Sequence, residues 1–165
     1  MKNKGFTLLE IMIVIAILGI VIVVAAPRMG GSKNDFKLYT SARNLVSDIR
    51  YAQELSISTK DNHIVFFNFD ENWYEIRQII VSETGRTLKT IKRVDFSGGI
   101  TCEKIVDASG NSVGEGFVFD STGKPFEPDE TTAFTDLTTI YLKASNVYIY
   151  IKITPQTGEV SFGWN

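Results

Sequence analysis

The sequence predicts an α+β protein. A long N-terminal helix, apolar in its first half and amphipathic in its second, packs on an antiparallel β-sheet head. Three observations predict this: an uncharged apolar run from Ile11 to Ala26, a helical spacing of apolar residues after it, and β-branched and aromatic segments separated by turn residues past Asp61. With 165 residues, 44% of them hydrophobic, there is room for one core at about 150 residues per domain, and too much apolar surface for a disordered chain. The 17 basic and 19 acidic residues give a net charge of −2. Such a balance exerts no long-range pull on phosphate backbones and argues against general nucleic-acid binding. Cys102 is the single cysteine, so the fold has no internal disulfide and no cysteine cluster for zinc or iron–sulfur ligation. No cofactor is expected.

The N-terminal element is justified by length. Phe6 to Ala26 is 21 residues, which as a helix would reach ~32 Å, close to the hydrocarbon thickness of a bilayer. Residues 6–26 are therefore expected to form a transmembrane helix. Lys2 and Lys4 keep its N-terminal side cytoplasmic and send the chain from Pro27 onward across the membrane. Lys2, Lys4 and Glu10 are the only charges before Pro27, which leaves 15 basic against 18 acidic residues, or −3, beyond it. Glu10 does not fit a plain anchor, because a charge deep in lipid costs about 2.5–3.5 kcal/mol on insertion scales. Either it snorkels to the headgroups, or a cut after Gly5 exposes the amine of Phe6 four residues away on the same helical face, and that cation neutralises the carboxylate.

Lys4-Gly5-Phe6-Thr7-Leu8-Leu9-Glu10 followed by an apolar helix resembles the class III signal of type IV pilins and type II secretion pseudopilins. The resemblance implies a pilin-like fold and a leader of residues 1–5. It implies that a prepilin peptidase cuts between Gly5 and Phe6, that the Phe6 amine is N-methylated, and that Glu10 pairs with the Phe6 amine of an adjoining subunit during assembly. Pro27 stands where many such proteins carry a helix-kinking proline, with Gly19, Gly30 and Gly31 as further weak points. The implied partners are other pilin or pseudopilin subunits, the prepilin peptidase, a membrane-embedded assembly platform and, before assembly, the lipid bilayer. The implied location is the cytoplasmic membrane, crossed once with the head outside the cytoplasm, and then a filament. The competing reading is an ordinary secretory signal cut after Val24-Ala25-Ala26. Against it, Glu10 interrupts the start of the hydrophobic region, and Pro27 would follow the cut as a rigid imide.

Residues 27–60 are expected to be an amphipathic stalk helix. From Phe36 the apolar residues recur at Leu38, Ala42, Leu45, Ile49 and Ala52, while Arg43, Asp48, Arg50 and Glu54 take other faces. Residues 61–165 read as a β-rich head. Ile64–Phe69, Trp73–Val81 and Thr87–Phe96 make a meander, with Gly98-Gly99 breaking the third strand and Ile100–Val106 resuming it. Gly116–Asp120, Thr138–Lys143, Val147–Thr154 and Glu159–Trp164 complete the head, and alternation along Val147–Ile153 turns an aliphatic face to the core.

The segment Phe119-Asp120-Ser121-Thr122-Gly123-Lys124-Pro125, then Ile151-Lys152-Ile153 and Thr157-Gly158-Glu159-Val160, is similar to the GspH/FimT group of minor pseudopilins and minor pilins, as are Ala42, Leu45, Ile49, Arg50 and Ala52 of the helix. Glu159 departs from that group, where Arg is common, which removes the basis for a basic surface at that end.

Catalytic chemistry is not legible. His63 is the single histidine, with no acid and nucleophile in a recognisable order, and reads as a surface or strand-end residue. Cys102 reads as a small buried or half-buried strand residue. Gly114-Glu115-Gly116 has neither a following helix nor a lysine and reads as a turn. Glu127, Asp129, Glu130 and Asp136 are hard oxygen ligands without a calcium-loop spacing and read as a solvated acidic loop. No metal site is expected. The sequence therefore points to a non-enzymatic minor subunit of a pilus or pseudopilus. The alternatives are a DNA-binding minor pilin for DNA uptake, which the −3 head disfavours, and a secreted β-rich protein with an ordinary signal peptide.

Overall fold

A computed structural model describes residues 7–25, 33–83, 85–129 and 132–164. The chain divides into two compact units, Met1–Lys33 and Asn34–Asn165. In the first, α1 runs over Leu8–Ala25. Among the described residues no helix is long and apolar enough to cross a membrane. The 18 residues of α1 rise about 27 Å, short of a hydrocarbon core of about 30 Å. Phe6 and Ala26, the ends of the expected span, lie outside the described residues, as do Gly5, Pro27, Gly30 and Gly31.

The second unit opens with α2, which runs over Lys33–Thr59, its first residue being the last of the first unit. Leu38, Ala42, Leu45, Ile49 and Ala52 are fully buried, as their spacing predicts. Phe36, which opened the expected stripe, is 74% exposed, because two residues before Leu38 is more than half a turn away from it. Among the described residues the strands are β1 (His63–Asn68), β2 (Trp73–Ser82), β3 (Gly85–Asp95), β4 (Ile100–Val106), β5 (Gly116–Phe119), β6 (Pro125–Phe126), β7 (Thr138–Ala144), β8 (Val147–Ile153) and β9 (Val160–Trp164). They form two antiparallel sheets, β3-β2-β1-β5-β6 and β4-β7-β8-β9. One core joins the buried face of α2 to Val65, Phe67, Ile76, Phe117 and Phe119 of the first sheet and Ile105, Ile140, Leu142, Ile149 and Ile151 of the second.

One expectation is corrected here. Ile100–Val106 does not resume the third strand: Gly98 and Gly99 both adopt positive φ, 72° and 77°, a conformation glycine tolerates, and the chain leaves the first sheet to pair with β7 in the second. The short β6 was not expected, because a two-residue strand beginning at Pro125 carries almost no alternation to read.

Candidate functional site

The expected processing and assembly residues cluster at the start of α1, and of these the structure describes Glu10. Thr7 precedes the helix as its cap. Its Oγ1 accepts a hydrogen bond from the Glu10 backbone N–H at 3.3 Å, and its C=O accepts from the same N–H at 3.1 Å and from that of Ile11 at 3.3 Å. Thr7-Leu8-Leu9-Glu10 thus has the capping-box spacing, a threonine three residues before a glutamate. The sequence reading passed over this role of Thr7, although the spacing signals it. Glu10 stands exposed in the first turn, where the partial positive charge of the helix N-terminus favours a carboxylate. Beyond Glu10, α1 is apolar on every side. Leu9, Met12, Ile15, Ile20 and Val21 are 56–67% exposed, and a methyl group added at Gly19 would meet nothing within 4 Å. A helix hydrophobic all round is stable when lipid or other helices cover it.

In the head, the two turns of the C-terminal sequence pattern come together on one residue. The Gln53 side-chain amide of α2 donates to Gly123 C=O and to Thr157 C=O, each at 2.8 Å. Asp120 builds the first turn by accepting from Thr122 N–H, Thr122 Oγ1 and Lys124 N–H at 2.7–2.9 Å. Burial opposes its ionisation, but these bonds outweigh it and hold its pKa below the usual carboxylate range. Both turns need glycine. Gly123 and Gly158 have φ of 83° and 67°, and a Cβ on Gly158 would collide with the Gln53 amide and come within 2.8 Å of Gly123 O. Arg50 completes the attachment, donating to Val160 C=O at 2.8 Å.

His63 opens β1 as expected, but it is 1% exposed rather than at the surface. Its Nδ1 lies 3.0 Å from Asp61 C=O and 3.1 Å from Ser56 Oγ, whose hydroxyl donates to Ala52 C=O. A protonated Nδ1 satisfies both neighbours, and burial holds the pKa below its ordinary value. This is a neutral, structural imidazole. Asp48, expected on a polar face, turns inward at 7% exposure. Its carboxylate accepts from Tyr74 OH at 2.7 Å and pairs with Lys92 Nζ at 2.6 Å. Cys102 is buried on β4, and burial, assisted by Glu103, pushes its thiol up to about 12, so it packs as a neutral side chain. Gly114 turns with φ 99°, and a Cβ on Gly116 would strike Val65 O, so β5 approaches β1 closely there. In the acidic loop Asp129 spends its oxygens on Thr132 N–H and Thr132 Oγ1, both at 3.0 Å. Glu130 lies outside the described residues, and among the described residues no group of three metal-ligating side chains converges.

The family model described as the prokaryotic N-terminal methylation motif matches residues 1–26. A curated relative, type II secretion system protein H of Aeromonas hydrophila, is 30% identical over 77 residues, which are 47% of this chain and 41% of that protein. The chain thus spans less than half the length of that relative. Among solved structures, the minor pseudopilin EpsH from the type II secretion system of Vibrio cholerae superposes with a TM-score of 0.58 at 9% identity, over 76% of this chain and 94% of that one. The type IV minor pilin FimU of Pseudomonas aeruginosa gives 0.54 at 16% identity, over 78% and 90%. At these identities the similarity establishes the fold.

Proposed function

We propose that the chain is a minor pilin or pseudopilin of the GspH/FimT kind, a structural and non-catalytic subunit assembled into a type II secretion pseudopilus or a type IV pilus. Three findings support it: the methylation motif over residues 1–26, the partial match to a secretion-system protein H, and the shared fold of a minor pseudopilin and a minor pilin. The observation that carries it is α1, an exposed helix apolar on every side except for one carboxylate beside its capped N-terminus.

On this reading the leader ends at Gly5, and Phe6 becomes the methylated N-terminus. The helix waits in the cytoplasmic membrane, residues 6–26 completing the span, with the head on the far side. During assembly its apolar surface exchanges lipid for neighbouring helices, and Glu10 receives the Phe6 amine of another subunit. Pro27 lets the helix direction change beyond the membrane. Mass spectrometry of protein made in cells that carry a prepilin peptidase tests the reading. The expected product begins at N-methylated Phe6. A product beginning at Pro27, or an uncut Met1 in assembled filaments, overturns it.

A further inference from the structure

A sheet edge offers a row of N–H and C=O groups to any chain that can pair with it, and stable proteins blunt such edges with charge, bulges, proline or brevity. Three of the four edges of the head are blunted in this way. β3 carries Arg86, Lys89, Lys92 and Arg93 and a register shift opposite Ile76 and Arg77. β4 has a shift between Cys102 and Lys104, and β6 is two residues long and begins with Pro125. β9 differs. Val160-Ser161-Phe162-Gly163-Trp164 contains no charge and no proline, and it pairs with β8 in unbroken register.

Alternation decides which backbone groups are available. The Thr154 N–H bonds Glu159 C=O, so the groups of Ser161 and Gly163 turn toward β8 and those of Val160, Phe162 and Trp164 turn to the open side. The Arg50 guanidinium, donating to Val160 C=O from that side, agrees with this. Beyond it, among the described residues no strand pairs with Phe162 or Trp164 on the open side. The edge is also held in shape, since Tyr39 lies 5.7 Å from the Phe162 ring and stacks on Trp164 at 5.8 Å. Beside it runs a cleft of about 540 Å³ whose charged lining is Arg43, Arg50 and Glu54 and whose apolar lining is Val46, Tyr51 and Phe162.

We propose that β9 is a docking edge for an extended peptide segment of a partner protein, which joins the second sheet as a fifth strand. The unpaired backbone groups call for a strand, the apolar lining for an aliphatic side chain beside Phe162, and two guanidiniums against one carboxylate for an acidic residue facing Arg43. A second copy of β9 brings only Glu159, just before the start of the strand, and is the competing occupant that the test separates. The proposal stands whether or not the chain enters a filament.

The test uses the full chain in detergent micelles and a capped peptide of sequence Thr-Val-Glu-Val-Thr-Val-Thr, read by residue-resolved amide hydrogen exchange. Exchange at Phe162 and Trp164 should slow at least tenfold with peptide while the β3 edge is unchanged. Phe162→Pro deletes an N–H that does not serve β8, along with a ring that packs on the core and on Tyr39, and peptide affinity should fall at least tenfold. Arg43→Glu, an exposed change on α2, should weaken binding and regain it when the peptide's Glu is replaced by Lys. If Phe162→Pro fails to fold, this charge swap decides alone. The proposal is overturned by unchanged exchange at Phe162 and Trp164, by equal peptide binding to a folded Phe162→Pro, or by a charge swap without effect. Protection of the same amides in a dimer of the chain alone overturns it in favour of a second copy.

Discussion

Asp48 of α2 and His63 of β1 are both buried in the head, and each survives burial by a different device. Asp48 is given partners, Tyr74 from β2 and Lys92 from β3. Burial and then the Asp48 hydrogen bond push the Tyr74 phenol well above its usual range, so Tyr74 stays a neutral donor to Asp48 Oδ2 throughout physiological pH. Removing that donor by Tyr74→Phe should cost about 1.5–3 kcal/mol, as for a hydrogen bond to a charged group, measured as a lowered urea midpoint with unchanged slope. His63 instead gives up its charge. Its folded-state pKa lies below the ordinary value of 6.5, so the unfolded chain binds the proton more readily. Stability from this group is therefore full above about pH 6.5 and declines as pH falls through that value toward the lowered folded pKa, by at most about 1.4 kcal/mol per pH unit. Urea unfolding of wild type and His63→Gln at pH 7.5 and pH 5 checks this: the loss on acidification should be smaller in the variant. An equal loss in both would mean that other groups carry the acid sensitivity.

At the scale of elements, α2 is the part to which both sheets attach, and the attachment depends on turns as much as on the apolar stripe. Gly158→Ala forces a side chain into positive φ, costing about 1–2 kcal/mol, and also into the Gln53 amide. Gly110→Ala makes the same backbone demand at φ 86° with nothing within 4 Å, so the difference between the two thermal midpoints isolates the collision. Gly158→Ala should be the more destabilising, and equal losses would show that the Gln53 contact contributes nothing. These elements differ in how far the sequence disclosed them. The stripe of α2 and the inward row Ile149, Ile151 and Ile153 of β8 were legible because burial there follows a local period. The inward turn of Asp48 was not, since a charge at that position is tolerable only once Tyr74 and Lys92, distant in the chain, arrive beside it. The move of β4 to the second sheet escaped for a related reason. Its alternation fits either sheet, and the choice rests on two glycines whose φ has no signature in hydrophobic pattern. The two turns around Gly123 and Gly158 were legible only as segments resembling a family pattern, and their meeting on one Gln53 amide that bonds two carbonyls needed the fold.

For the whole molecule, the question is which step Glu10 serves, and its place in the capping turn makes two answers separable. At the third position of a capping-box spacing its side chain would help start α1 by reaching back to the Thr7 N–H, a role that glutamine would fill as well. As the assembly residue of the proposed function it would supply a negative charge to the amine of a cleaved Phe6 in a low-dielectric filament core, a role that glutamine cannot fill. On the proposed function, membrane insertion would depend on neither, because the apolar run from Ile11 to Ala26 would drive it and a carboxylate would only oppose it. Glu10→Ala and Glu10→Gln should therefore both insert and both be cleaved after Gly5. Losing one member of a buried ion pair typically costs about 3–5 kcal/mol, which at ~1.4 kcal/mol per tenfold is a hundredfold or more in incorporation. Both variants should thus be depleted from sheared filaments to a similar degree, with cleavage verified by mass spectrometry on the membrane fraction of the same cells. Recovery of Glu10→Gln in filaments beside loss of Glu10→Ala would assign Glu10 to the helix start alone. Normal recovery of both would remove it from assembly, and loss of cleavage in either would place its action at the peptidase.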